Sequence, residues 1–276
     1  MGPLFLGECM LAFVDSTMHG TPNWASLKSK DTHSAKNFYS KIFGWNFNYK
    51  SYINSEIKNA SIAKFADTEI ISLTDTSSTP ELIESLWESY VFVDDLDQIL
   101  LKTIEAEGRI IHRSHSVGTI GRAAMIEDPS GAKLCAWEAS ENIRSRNKSG
   151  HGSLSWLELE TSNIDTAKEF YNYIFGWEAS DVWMPPSVNS PEWCYTIFSK
   201  GSNKVAGAIK PPINSIYSSW CAAFSVLDAD IAARTVREIG GIVVTEPYDI
   251  PIGRQAVLMD PNGAVFSVVA LNKRTK

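Results

Sequence analysis

The sequence predicts an α+β fold built from four βαβββ modules, two in each half of the chain, and two observations predict it. The first is a repeat at a spacing of 132 residues. Phe38-Tyr39-Ser40-Lys41-Ile42-Phe43-Gly44-Trp45 recurs as Phe170-Tyr171-Asn172-Tyr173-Ile174-Phe175-Gly176-Trp177, Gly121-Arg122 as Gly253-Arg254, and Asp128-Pro129-Ser130-Gly131-Ala132 as Asp260-Pro261-Asn262-Gly263-Ala264. A period this long marks a duplicated domain rather than a solenoid, because each unit is large enough to bury a core of its own. The second is the order of hydrophobic patterns inside each copy: a strand-like segment, a helical stripe, three strand-like segments, then the same series again.

The first module opens with alternating character from Asn23 to Lys30, followed by apolar residues at Ala35, Phe38, Tyr39, Ile42 and Phe43. That spacing is one face of a helix, with Asp31 placed as N-cap and Gly44 as the left-handed residue beyond its end. Trp45 to Tyr49, Ala60 to Phe65 and Glu69 to Leu73 are the following strands. The second module takes Ser89 to Val93, a helix from about Leu96 to Glu107, a strand near Ile110, then Arg122 to Ile126 and Ala132 to Trp137. The other half repeats this grammar. Leu154 to Glu160 is its first strand, Asn163 caps a stripe of Ala167, Phe170, Tyr171, Ile174 and Phe175, and Gly176 ends it; Cys194 to Ser199 and Val205 to Ile209 follow. Its last module takes Ala222 to Val226, Ile231 to Ile239, Ile242 to Val244, Gln255 to Leu258 and Ala264 to Val269. Residues 1–22 are expected as an N-terminal arm, 23–140 as the first domain, 141–152 as a polar linker and 153–272 as the second domain.

Composition narrows the function classes. The chain has 276 residues, 44% hydrophobic and 21% charged, with a net charge of −7, which suits two globular domains and argues against a nucleic-acid surface. Four cysteines without C-x-x-C spacing point to neither zinc nor a disulfide framework and fit reduced thiols in a cytoplasm. The apolar stretch Leu4 to Val14 is interrupted by Glu8 and lacks a preceding Lys or Arg, unlike a signal peptide, and no run of 18 apolar residues predicts a membrane span.

The landmarks together, Phe-Tyr…Phe-Gly-Trp after a strand, Gly-Arg before a later strand and Asp-Pro-x-Gly-Ala before the last, resemble the vicinal oxygen chelate superfamily, or glyoxalase/bleomycin-resistance/dioxygenase fold. The resemblance spans residues 23–272 in two tandem copies, particularly like tandem glyoxalase-like bacterial proteins. It implies curled eight-stranded sheets, each enclosing a cavity between paired modules, and leaves open which modules pair. It also implies a divalent metal held by His or Glu at set positions. The first such position is Trp24 in one copy and Trp156 in the other, the last is Cys135 and Ser267, and the one opening the second module falls near Glu88 and Cys221. Indole cannot ligate a metal and Ser is a poor ligand, so the expectation is no metal and no other cofactor. His112 and His115 form an H-x-x-H pair, but a spacing of three on a strand sends the rings to opposite faces.

Residues two apart on a strand share a face. If Trp156 faces the cavity, so do Glu158 and Glu160, while Leu157 and Leu159 pack beneath; Leu154 and Ser155 break the alternation at the strand's start. Lys133, Cys135 and Trp137 share one inner face, and Val265, Ser267 and Val269 the other. The expected site is therefore an aromatic-walled pocket for a small organic ligand, lined by Trp24, Trp137, Trp156, Trp183, Trp193, Cys135, Cys221 and Ser267. Glu158, if desolvated beside Trp156, and Glu88 are the candidate general bases; the other readings are a solvated rim carboxylate for Glu158 and plugs of unused cavities for Trp24 and Trp156. Val182-Trp183-Met184-Pro185-Pro186 suits a lid, a pocket wall or an interface patch, and differs most from the polar Asn54 to Lys58 region of the first copy. Arg122 and Arg254 are expected to serve the fold rather than bind an anion, by pairing with a carboxylate or bonding a loop carbonyl, and the two Asp-Pro segments to be plain turns. A metal-independent isomerase, lyase or cyclase leads these readings, with a non-catalytic binding protein of the bleomycin-resistance type as alternative and a metal-dependent glyoxalase or dioxygenase disfavoured. The expected partner is a small organic molecule, with a homodimer left open.

Overall fold

The computed structural model describes residues 18–50, 60–65, 68–78, 85–117, 120–140, 150–186, 192–211 and 218–272. The first half contains β1 (Thr21–Ser29), α1 (Thr32–Phe43), β2 (Asn46–Lys50), β3 (Ala60–Phe65), β4 (Thr68–Asp75), β5 (Leu86–Phe92), α2 (Leu96–Glu105), β6 (Arg109–Ser116), β7 (Gly121–Glu127) and β8 (Lys133–Ala139). The second contains β9 (Leu154–Glu160), α3 (Ile164–Phe175), β10 (Glu178–Met184), β11 (Trp193–Lys200), β12 (Asn203–Ile209), β13 (Ser219–Ser225), α4 (Ala229–Glu238), β14 (Ile242–Ile250), β15 (Gly253–Met259) and β16 (Val265–Leu271). Each half is one eight-stranded sheet, ordered β2-β3-β4-β1-β5-β8-β7-β6 and β10-β11-β12-β9-β13-β16-β15-β14. Adjacent modules therefore pair, joined antiparallel where β1 meets β5 and β9 meets β13. Val182 to Met184 belongs to strand β10 rather than to a loop, and the Asn54 to Lys58 region lies outside the described residues.

The helix signals act as expected. The Asp31 side chain accepts from the Ser34 amide, the Asn163 side chain from Thr166, and Gly44 and Gly176 end their helices at φ 68°. The irregular start of Leu154 to Glu160 is a β-bulge: pairing with β13 shifts between Leu154 and Trp156, so Leu154 joins the helix-side core while Trp156 turns to the opposite face. β1 has the same shift between Pro22 and Trp24.

The core departs from the expectation of two independent units. Helices from both halves and the sheet faces they cover form one continuous cluster running from Ala25 and Phe38 through Phe170 and Trp220 to Phe266. The repeat motifs stitch it together. Tyr39 Oη donates to Asp260 Oδ2 at 3.1 Å and Tyr171 Oη to Asp128 Oδ2 at 2.9 Å, each crossing to the other half. Trp45 Nε1 reaches the carbonyl of Gly152 and Trp177 Nε1 that of Gly20. The Asp-Pro segments are thus more than plain turns: Asp128 and Asp260 fold their own turns with one carboxylate oxygen and hold the other half with the second. Arg122 pairs with Asp97 and Glu138, and Arg254 with Asp230 and Asp249, which ties each Gly-Arg strand to the start of its helix.

Candidate functional site

Both sheets turn their concave faces away from this shared core. In the second half, alternation along β9 sends Leu157 and Leu159 into the core and Trp156 and Glu158 to the concave face. Around Trp156 gather Tyr195, Ile197, Ile209, Ala223, Ile250 and Val269, with Val182, Met184, Trp193 and Tyr248 packed against them. Glu158, only 1% exposed, sits in this apolar wall.

Neutral donors surround its carboxylate. Tyr195 Oη donates to Oε2 at 2.9 Å, while Tyr248 Oη at 3.2 Å and Gln255 Nε2 at 2.5 Å reach Oε1. Trp156 Nε1 donates to Tyr195 Oη at 2.8 Å, so the indole orients the phenol that orients the carboxylate. Among the described residues, no cation pairs with it. Burial pushes the Glu158 carboxyl up to about 7, against the opposing pull of its hydrogen-bond donors and with a further push from Glu160. Glu160 is itself raised by burial.

The first half places a carboxylate on the facing strand. Ser26 pairs with Glu88 in register, as Glu158 pairs with Cys221, so the acid lies on β5 in one sheet and β9 in the other. Glu88 is neutralised: Lys28 Nζ lies 2.6 Å from Oε1, and Tyr90 Oη donates to Oε2 at 3.1 Å. Glu88 therefore meets a cation where Glu158 meets only neutral donors. Cys135 sits beside Tyr90 in the parallel register, and burial raises its thiol well above the ordinary range. Trp137 packs with Phe92, Val117 and Ala123, and Trp24 Nε1 donates to Ser72 Oγ at 3.1 Å.

The remaining expected site residues divide. Trp156 and Trp193 stand on the second concave face, while Trp183 is 65% exposed and projects to the other side of β10, because Val182 and Met184 are the residues that turn inward. Trp183 is therefore corrected from pocket wall to outer surface. Cys221 Sγ lies 3.3 Å from Ser267 Oγ, and burial pushes the thiol up to about 12. The structure thus brings together Trp156, Cys221 and Ser267, three positions where the family places metal ligands. An indole, a protonated thiol and a hydroxyl do not fit a divalent ion of the glyoxalase kind, and the oxygens of Glu158 are engaged by neutral donors. Among the described residues, no three His, Cys, Asp or Glu side chains cluster as a metal site would.

Tyr195, Tyr248 and Gln255 escaped the sequence reading, although part of their signal was present in it. Directly after the repeated Gly-Arg, the first copy has Ala123 and the second Gln255. Strand register equates Tyr248 with His115 and Tyr195 with Ala60, but those equivalences need the pairings. Gly207, opposite Glu158, completes the set: a Cβ there would meet Tyr195 Oη at 1.9 Å, whereas the first sheet has Ser72 at this register.

Residues 21–136 and 153–268 each match the model of the glyoxalase/bleomycin resistance protein/dioxygenase superfamily. The Mycobacterium bovis protein named "Putative glyoxylase CFP32" is 33% identical over 258 residues, covering 91% of this chain and 94% of that protein. The anthracycline biosynthesis protein DnrV of Streptomyces peucetius is 30% identical over 265 residues, covering 92% and 94%. Among solved structures, the Mn(II)-bound glyoxalase of Novosphingobium aromaticivorans superposes with a TM-score of 0.58 at 13% identity, over 92% of this chain and 83% of that one. The 2,3-dioxygenase LapB of Pseudomonas sp. KL28 does so with 0.59 at 14%, over 91% and 93%. At these identities the structural likeness concerns the fold.

Proposed function

The chain belongs to the glyoxalase/bleomycin resistance protein/dioxygenase superfamily, and from the chemistry of its second concave face we propose that it acts on a small organic molecule without a metal, using Glu158 as general base. The observation that carries this reading is a buried carboxylate held by three neutral donors and, among the described residues, no cation. Such a group exchanges a proton near neutrality, where an exposed carboxylate is too weak a base, and that is the property a proton-abstracting residue needs. The reaction class is an isomerisation, elimination or cyclisation begun by loss of a proton from carbon or oxygen. Trp156, Trp193, Tyr195 and Tyr248 supply an aromatic wall suited to a flat substrate, and the likeness to anthracycline biosynthesis proteins favours planar polycyclic compounds.

A second reading, retention of such a compound without turnover, draws on the largely aromatic and aliphatic character of the same wall. Thermal-shift screening of anthracycline-type and other planar polycyclic compounds identifies the ligand, since binding raises apparent stability. Assays of the best binder with wild type and Glu158→Gln then separate the readings. Catalysis predicts turnover by wild type and its loss in the variant with binding retained. Sequestration predicts binding by both and turnover by neither. Stoichiometric zinc, nickel, manganese or iron in the purified, active protein would overturn the metal-independent reading.

Among the described residues, no helix is long and apolar enough to cross a membrane.

A further inference from the structure

We propose that Gln255 is a positioning residue whose carboxamide turns end for end as Glu158 gains and loses its proton. It donates from Nε2 to the carboxylate and accepts at Oε1 from the carboxylic acid. This rests on the reading of Glu158 as a base and adds how the site accommodates both of its forms.

Three observations support it. Gln255 is fully buried, and its Nε2 lies 2.5 Å from Glu158 Oε1 and 3.0 Å from Tyr248 Oη, yet its Oε1 has no hydrogen-bond partner. A buried carbonyl left unpaired is costly, so one end of this side chain is held in reserve. Next, the hydrogen bonds that reach Glu158 from Tyr195, Tyr248 and Gln255 are all donated to it, the pattern that an ionised carboxylate satisfies best. Once protonated, the acid becomes a donor and needs an acceptor; Tyr195 and Tyr248 each already accept one bond, from Trp156 and Gln255, whereas Gln255 Oε1 accepts none. The other titratable groups around it, Glu160 and Cys221, offer no cation. Turning the amide places its carbonyl against the acid at a separation proper to O–H···O, shorter than the usual N–H···O range. Finally, the first sheet has Ala123 at this register, and its carboxylate Glu88 meets the Lys28 ammonium rather than an amide.

The turn has a consequence for substrate. Ala256 and Leu258 pack into the shared core, so Gln255 shares the concave face with Glu158. The amide end not bonded to Glu158 is left to the ligand. It is an acceptor before proton transfer and a donor afterwards. For a ketone with an acidic neighbouring C–H, that bond breaks, the proton passes to Glu158, and the electron pair moves onto the carbonyl oxygen. The resulting enolate oxygen then accepts from Gln255 Nε2.

The test follows two signals through a pH titration of the intact protein: the infrared carboxyl stretch of Glu158, assigned by its loss in Glu158→Gln, and the side-chain amide resonances of Gln255, assigned by their loss in Gln255→Leu. Both should titrate with one midpoint, and the Gln255 resonances should become pH-independent in Glu158→Gln. In Gln255→Leu the Glu158 midpoint should move by less than about half a unit, because the amide serves both protonation states. Gln255 resonances that ignore the titration, or a midpoint that rises by about one to two units in Gln255→Leu as loss of a fixed donor would cause, overturn the proposal while leaving Glu158 a base. A wild-type carboxyl band already lost below pH 5 instead removes the base reading and the proposal with it. Gln255→Met replaces Gln255→Leu if the latter does not fold.

Discussion

The two concave faces descend from one sequence and solve the same physical problem in opposite ways. Each buries a carboxylate at the middle of its sheet. In the first, Lys28 from the neighbouring strand supplies a countercharge to Glu88. In the second, Tyr195, Tyr248 and Gln255 supply dipoles only, and Glu158 is left balanced between its two forms. A cation satisfies a buried carboxylate but removes its use as a base; neutral donors keep it in place while leaving the proton negotiable.

The sharpest way to break this comparison is to neutralise each acid in turn. Glu158→Gln should lower turnover of the identified substrate by about 10²- to 10⁴-fold, the usual contribution of a general base. Glu88→Gln should change turnover by less than about threefold while lowering the melting temperature, because Lys28 loses its partner. An equal loss in both would show that the two faces are not specialised.

The pH dependence of stability sharpens the same contrast. The unfolded chain ionises Glu158 near the ordinary 4.5 and the folded chain only at about 7. The folded state therefore holds the extra proton across that window, and stability falls by about 3 kcal/mol as pH rises through it. Above about 7 both states are ionised and this contribution is fully lost. Denaturant unfolding at pH 5 and pH 8 should give a smaller difference in Glu158→Gln than in wild type, whereas Glu88→Gln should leave that difference in place.

Gly207 and Ser72 occupy one register, and only the first has a phenol against its Cα. Gly207→Ala should cost about 1–3 kcal/mol by overpacking against Tyr195, and Ser72→Ala less than about 1 kcal/mol. Combining Gly207→Ala with Tyr195→Phe, which removes the clashing oxygen, should recover part of the loss in a double-mutant cycle.

Where the halves are alike, the response should be alike. Tyr39→Phe and Tyr171→Phe each remove one bond to a buried carboxylate of the other half, and each should cost about 1.5–3 kcal/mol. Unequal losses measured by urea unfolding would show that the stitching is asymmetric. The smallest effect belongs to Trp183→Ala, on the outer surface, at about 0.5 kcal/mol or less with ligand affinity unchanged.

Much of this was legible in the residues. The period placed the modules, Asp31, Asn163, Gly44 and Gly176 set the helix ends, and alternation put Trp156 and Glu158 on one face with Leu157 and Leu159 on the other. Trp183 was misplaced because a segment rich in Pro and Met reads as a loop, whereas pairing with β11 makes it a strand and gives it a face. The cross-half bonds of Tyr39 and Tyr171 were hidden for a different reason: a conserved spacing within each copy carries no mark of which copy it contacts.

By itself, then, the sequence determined the module order, the caps and the positions of the carboxylates, because these depend on local backbone preferences and on periods of two and 3.6 residues. Only the tertiary structure decided that adjacent modules pair, that both halves share one core, and that Lys28 meets Glu88 while Tyr195, Tyr248 and Gln255 meet Glu158. Those groups lie far apart along the chain, and whether a buried acid meets a cation or a dipole is settled by sheet register, which no local pattern encodes.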